Sequence, residues 1–346
     1  MRVLLTDIQV PFIHGGAEAS VQALSDALRE RGHAVETMTL PFRFSPLTEV
    51  RESMRQWQAV SADRFDCGDI DVVVPIRFPA YHLASDRMVV WLAHQHRSIY
   101  DLWNTPFGES SASPQTRALR EDIVAADTAA LRRAQAVWTT SHNVAQRLRQ
   151  FNGIEAKPLY QPPPQSHAYR PGPSLPYVYF PSRMETLKRQ DLLIRAMSMV
   201  DRPVMAIFSG TGGRQNDFRA LAESLGVSDR VVFTGHVDFE RKRDLYSQSM
   251  AVFFGPKDED YGFITLEAML SAKPVITCSD SGGVLEFVQD GHNGHVCPPE
   301  PEAIAAAINQ LAHARQRSIE MGQAGRARYD ALDISWDRVI DHLLQD

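Results

Sequence analysis

Cysteine is scarce in this 346-residue chain: Cys67, Cys278 and Cys297 are odd in number, far apart and without a CxxC pair. That spacing excludes a disulfide framework and a cysteine zinc site, and it fits a reducing compartment such as the cytoplasm. Long apolar runs are missing as well. The opening MRVLLTDIQV is broken by Asp7, too early for the core of a signal peptide, and no segment approaches the length of a membrane span. Any meeting with a membrane would therefore be at its surface. There is no basic excess either: a formal charge of -6 gives no general reason to expect nucleic acid. A carboxylate-rich metal triad is also lacking, since Asp66, Asp69 and Asp71 stand together just before a strand and read as a solvated turn. No metal and no cofactor are expected.

What is present is the composition of a soluble globular protein, 44% hydrophobic and 23% charged, in a chain longer than one core usually spans. RVLL followed by GGAEASVQALSDALRERGHAVETMTL reads as strand, glycine turn, amphipathic helix with Val21, Leu24 and Leu28 on one face, and a second strand. The alternation continues through DVVVPI, RMVVWLAH and AQAVWTTS, with helices near 117–134 and 143–150. Short apolar strands alternating with helices predict a mostly parallel sheet covered on both faces. Seven prolines in nineteen residues, Pro158 to Pro176, then interrupt the pattern and read as an interdomain linker. Beyond them it restarts with YVYFPS, helices near 190–199, 215–225 and 264–272, and the strands VMAIFSG, RVVFTG, MAVFFGP and KPVITC. Two α/β domains in tandem follow.

The second half carries the chemistry. After MAVFFGP the chain enters the polar loop KDED and begins a helix near Gly262, so the N–H groups of Gly262, Phe263 and Ile264 are available to a phosphate. Glu267, one turn on, suits a vicinal diol such as a ribose; Glu259, eight positions earlier, suits a sugar on the far side of the diphosphate. Read alone, the two glutamates could equally be acids stabilising a helix dipole. Arg183 and Lys188 follow the strand YVYF with four residues between them, at the sheet edge where ligands of open α/β sheets bind. A forked guanidinium and a point-charge ammonium can neutralise a diphosphate and stabilise it as a leaving group, although a solvated basic helix start would read the same way.

These stretches, together with SGTGG, RVVFTGHVDFERKRDLYSQSMAVFFGP, EDYGFITLEAMLSAKPVITCSDSGGVLEFVQDGHNGHV and SWDRVIDHLL, resemble the retaining GT-B glycosyltransferases of family four, over nearly the whole chain. The resemblance implies two Rossmann-like domains facing each other across a cleft. Residues 1–165 would form the acceptor-side domain and 166–333 the nucleotide-sugar domain, with a helix at about 334–346 packing back on the first. It implies Arg183 and Lys188 on the diphosphate, Glu267 on the ribose, Glu259 by the donor sugar, and backbone contacts to the base near His236 and Val237. Gly15 and Gly16 would close over the donor phosphates, and His94 would stand near the transferred sugar. His96 and Arg97 are further candidates for the acceptor. Two departures stand out: MLSAKP lacks the glycine common before its proline, and QPPPQ replaces an asparagine-glycine turn.

The expected activity is metal-independent, retaining transfer of a sugar from a nucleoside diphosphate sugar to a hydroxyl, in bacterial polysaccharide or glycoconjugate synthesis. The acceptor would be a glycan or lipid-linked glycan, handled in the cytoplasm at the inner face of the membrane. Peripheral membrane contact through Arg51, Arg55, Trp57 and Arg64 competes with a solvated helix whose tryptophan faces the core. A GT-B phosphorylase or epimerase, or a non-catalytic sugar-nucleotide-binding protein, are the alternatives.

Overall fold

Alternation along the first strand puts Val3 and Leu5 on one face and Leu4 and Ile8 on the other, and both faces are covered. The computed structural model describes residues 1–12, 15–65, 67–110 and 113–345; Asp66 and His14 lie outside them. The chain forms two compact units, Met1–Pro164 with Ser335–Asp346, and Gln165–Ile334.

The first unit runs β1 (Arg2–Gln9), α1 (Gly16–Glu30), β2 (Ala34–Pro41), α2 (Leu47–Gln58), β3 (Val72–Pro75) and β4 (Val89–Leu92). It continues with α3 (Pro114–Arg132), β5 (Ala136–Thr139), α4 (His142–Asn152) and the two-residue β6 (Lys157–Pro158). All strand pairs are parallel, in the orders β2-β1-β3 and β4-β5-β6. The two ladders meet along β3 and β4, where Val73 N–H donates to the Arg87 carbonyl at 2.8 Å and Ala93 N–H to that of Ile76 at 2.9 Å. Serine caps start α3 and α4: Ser113 accepts from Thr116 N–H and Ser141 from Val144 N–H.

The second unit contains β7 (Leu175–Pro181), α5 (Gln190–Met197), β8 (Met205–Ser209), α6 (Gln215–Ser224), β9 (Val231–Phe233) and α7 (Phe239–Gln248). Then come β10 (Ser249–Phe253), α8 (Phe263–Leu270), β11 (Val275–Cys278), β12 (Gly294–Cys297), α9 (Pro301–His313) and α10 (Arg315–Ala331). Its six parallel strands lie in the order β12-β11-β10-β7-β8-β9. The order therefore reverses between β7 and β10. A last helix, α11 (Trp336–Leu344), belongs to the first unit, where Val339, Ile340 and Leu343 pack with Leu24 and Leu28 of α1. Arg31 Nε donates to Asp337 at 2.8 Å beside that contact.

The proline-rich crossing is shorter than the sequence predicts, because both of its ends lie in strands. Pro158 is tolerated in β6, which has a partner on one side only, and Pro176 sits near the start of β7. Between them, Tyr169 packs edge-on to Phe239 and Tyr246, and Lys273 Nζ donates to the carbonyls of Gly172 and Pro173. Trp57 is a core residue, Arg51 pairs with Asp122 and Arg55 with Glu52, so this helix face serves packing and surface ion pairs. Among the described residues, no helix is long and apolar enough to cross a membrane.

Candidate active site

In an open parallel sheet, ligands bind beyond the carboxyl ends of the strands where the order reverses. In the second unit that place is the pair of loops after β7 and β10, which carry the expected cations and the expected glutamates. The loop after β7 lies against the one after β8: Ser182 N–H donates to the Ser209 carbonyl and Met184 N–H to that of Thr211, both at 3.0 Å. Gly210, at φ +115°, makes this approach possible, since a Cβ there would overlap the Ser182 carbonyl. Arg183 is held by its backbone, with its carbonyl accepting from Gln190 Nε2 at 2.7 Å. Its guanidinium is exposed and has no partner among the described residues.

The two loops are stitched together. Lys257 N–H donates to the Leu187 carbonyl at 2.8 Å. Arg189 donates to the carbonyls of Gly255 and Pro256 and, through two nitrogens, to the Asp280 carboxylate, which Lys257 Nζ also reaches at 2.9 Å. Burial works to raise the Asp280 carboxyl, but the hydrogen bonds and charges of Arg189 and Lys257 outweigh it and hold it below the usual range. The Glu259 backbone is fixed on both sides, donating to Ser281 at 3.1 Å and accepting from Gly283 at 2.8 Å. Lys188 Nζ then meets Glu259 Oε2 at 2.6 Å, with the ammonium 5.6 Å from the Phe254 ring centre. A cation expected on a diphosphate and an acid expected on a sugar are thus partners.

Gly262 starts α8 at φ +88°, and a Cβ there would come within 2.9 Å of Val284, so backbone conformation and space both require glycine. Thr265 N–H folds back to the Gly262 carbonyl at 3.0 Å, and the N–H groups of Phe263 and Ile264 precede the first intrahelical bond. Glu267 is buried one turn on. Its carboxylate accepts from Lys242 Nζ and from the Tyr246 hydroxyl, each at 2.6 Å. Burial, and then the Glu267 charge, push the Tyr246 and Tyr169 hydroxyls up, so both stay protonated. His236 and Val237 lie in the loop after β9, the edge strand of the same sheet.

Lys242, Tyr246 and Arg189 are absent from the sequence reading. Asp238, whose carboxylate accepts from Arg241 N–H at 2.8 Å, is the one signal for α7, which supplies the first two. The helix shows little apolar periodicity, and its buried face is Leu245, Tyr246 and Ser247.

In the first unit, Gly15 donates its N–H to Glu18 at 2.9 Å and Gly16 begins α1. Glu18 also accepts from Arg77 at 2.8 Å, while Arg77 forks onto both oxygens of Asp7 at 2.6 Å. Burial raises the Asp7 carboxyl; for Glu18 the backbone bonds and Arg77 overcome burial and lower it. The glycine turn thus rests on an acid-arginine-acid chain missed in the sequence. His94, after β4, bonds through Nδ1 to the Gln95 carbonyl at 2.7 Å, which puts the ring proton on Nδ1 and leaves Nε2 as acceptor in the neutral ring. His96 is buried among Phe42, Phe44 and Phe78. Burial and the neighbouring His94 push it down to about 4, which makes it a neutral core histidine. Arg97 is forked onto Asp101.

Two Rossmann-like units of parallel strands define an α/β protein of the GT-B class, and solved structures agree. Sucrose-phosphate synthase from Thermosynechococcus elongatus matches 100% of this chain and 98% of its own, with TM-score 0.78 and 19% identity. HepE from Anabaena, in complex with UDP-glucose, covers 99% of this chain and 98% of its own, with TM-score 0.70 and 18% identity. Residues 167–328 match the family model described as Glycosyl transferases group 1. A D-inositol 3-phosphate glycosyltransferase from Nocardia farcinica (strain IFM 10152) is 28% identical over 289 residues, 76% of this chain and 62% of that relative's length.

Proposed function

We propose that the protein transfers a sugar from a nucleoside diphosphate sugar to a hydroxyl acceptor with retention of configuration, in bacterial polysaccharide or glycoconjugate synthesis. The observation that carries this reading is the 2.6 Å pairing of Lys188 with Glu259 between the two loops that flank the strand-order reversal, with a helix start and a buried glutamate beside them. Lys188 exchanges Glu259 for the diphosphate when donor binds, and the unpartnered Arg183 guanidinium joins it on the phosphate oxygens. The N–H groups of Gly262, Phe263 and Ile264 face the same charge. Glu267 accepts from the ribose, and His236 and Val237 offer backbone to the base. Glu259, once released, accepts from hydroxyls of the donor sugar.

In the transfer step the bond from the anomeric carbon to the phosphate oxygen breaks and its electron pair leaves with the diphosphate. The acceptor oxygen bonds to that carbon on the same face, and its proton passes to the departing phosphate oxygen. Arg183, Lys188 and the helix start stabilise the charge that develops, the task a divalent cation performs elsewhere, so no metal and no cofactor is required. The first unit would provide the acceptor side, with Gly15, Gly16 and His94 as its candidate residues, for a glycan or lipid-linked glycan in the cytoplasm at the membrane's inner face. UDP sugars are the first donors to test, because HepE is bound to UDP-glucose. Product formed in the presence of EDTA should keep the donor's anomeric configuration in proton NMR. An inverted anomer contradicts retention, and activity restored only by magnesium or manganese contradicts metal independence.

A further inference from the structure

The buried carboxylate of Glu267 poses an electrostatic problem that its own helix does not solve. It carries a negative charge one turn from the helix start to which the donor reading assigns a diphosphate, so acid and ligand repel each other unless something compensates. Two compensating groups come from α7, Lys242 Nζ on one oxygen and the Tyr246 hydroxyl on the other, each at 2.6 Å, and the Tyr169 hydroxyl also bonds to the carboxylate. They differ in setting. The Lys242 side chain is 30% exposed, a point charge at the rim, whereas Tyr246 is fully buried and packed edge-on against Tyr169 and Tyr179.

We propose that Tyr246 and Lys242 are positioning residues that divide the work of making Glu267 usable: Tyr246 fixes the direction of the carboxylate, and Lys242 cancels its charge so that a diphosphate can bind beside it. This rests on the donor-site reading above. A uniform loosening of the fold would weaken every ligand alike, but the two assigned roles leave different signatures. Loss of an orienting hydrogen bond weakens nucleoside and nucleoside diphosphate by the same factor. Loss of a neutralising charge weakens the diphosphate more, and salt screens the difference.

The test measures, by calorimetry, binding of UDP, GDP, ADP and dTDP to the wild type, then takes the tightest of them and its nucleoside to the variants. Tyr246→Phe should lower both affinities about 3- to 10-fold, equally. Lys242→Met should lower the diphosphate by about 10-fold and the nucleoside by no more than about 2-fold, with the gap closing at high salt and Lys242→Arg restoring it. In a Glu267→Ala background neither change should have further effect, because the group they act through is gone. If Glu267→Ala weakens binding while Tyr246→Phe and Lys242→Met do not, or if Lys242→Met weakens both ligands equally, the division of roles is overturned and the donor site stands. Full nucleotide affinity in Glu267→Ala, or no binding of any of the four diphosphates by the wild type, overturns both.

Discussion

Arg183 and Lys188 entered the sequence reading as equivalents, and the fold separates them. Lys188 has an internal partner in Glu259, whereas the exposed Arg183 guanidinium has none among the described residues. Arg183→Ala should therefore leave thermal stability unchanged within about 0.5 kcal/mol, as for other surface changes, while lowering turnover at least tenfold. Wild-type turnover in that variant would remove Arg183 from the site. His96 shows the limit of reading chemistry from residue type: a histidine four positions past a strand is legible as a candidate, but the slot of Phe42, Phe44 and Phe78 around it is assembled from distant segments. Its pKa, lowered from 6.5 to about 4, has a consequence for stability. The groups around it are the three phenylalanine rings, Ser98, His94 and, more distantly, Asp127. Between those pH values the unfolded chain holds a proton the folded one refuses, so stability falls as pH falls through that window, by at most about 3 kcal/mol. All five tryptophans lie in the first unit, so their emission reports its unfolding alone. Denaturation at pH 7 and pH 5 should show the loss in the wild type and a weaker one in His96→Gln; equal pH dependence in both would assign the proton elsewhere.

At the scale of elements, legibility followed apolar patterning. β1, α1 and the strands of the second sheet announce themselves by alternation, by Leu24 and Leu28, and by short apolar runs. α9 is missing from the sequence reading although Pro301 at its first position and Ile304, Ile308 and Leu311 mark it well. α10 was harder to see, because its buried positions are Ser318, Met321, Gly322, Gly325 and Tyr329, mostly small or polar. Gly322 is needed there because a Cβ would strike the carbonyl of Ala272 at the end of α8. Ala272 is itself the departure noted in MLSAKP, and it adopts φ +51°, a conformation that costs a residue with a Cβ roughly 1 kcal/mol. Part of that is offset by the entropy a glycine loses on folding. Ala272→Gly should therefore stabilise the second unit by about 0.5 kcal/mol, read as a rise in its melting temperature by circular dichroism. A lower melting temperature would mean that the Ala272 methyl contributes packing that outweighs the backbone strain.

At the scale of the whole molecule, both units are built of parallel strands, and the second gathers its candidate site residues where its strand order reverses. The motif residues at that place were legible because each half of the site has its own local pattern, two cations after a strand and a glycine at a helix start, although Lys188 and Glu259 stand 71 positions apart. Their supports were not: Arg189 with Asp280, Lys242 with Glu267, and Arg77 with Asp7 and Glu18 join residues 25 to 91 positions apart, and only the fold brings them together. The central claim is that the Lys188–Glu259 site breaks the bond between a sugar and a nucleoside diphosphate. The most direct measurement is release of free nucleoside diphosphate from a panel of UDP, GDP, ADP and dTDP sugars, with and without candidate glycan acceptors, by wild type and by Glu259→Ala. The wild type should turn over at least one donor, faster with its acceptor, and Glu259→Ala should lose that turnover while keeping nucleoside diphosphate affinity. Donor bound by the wild type but never cleaved, or cleaved equally well by Glu259→Ala, would contradict it.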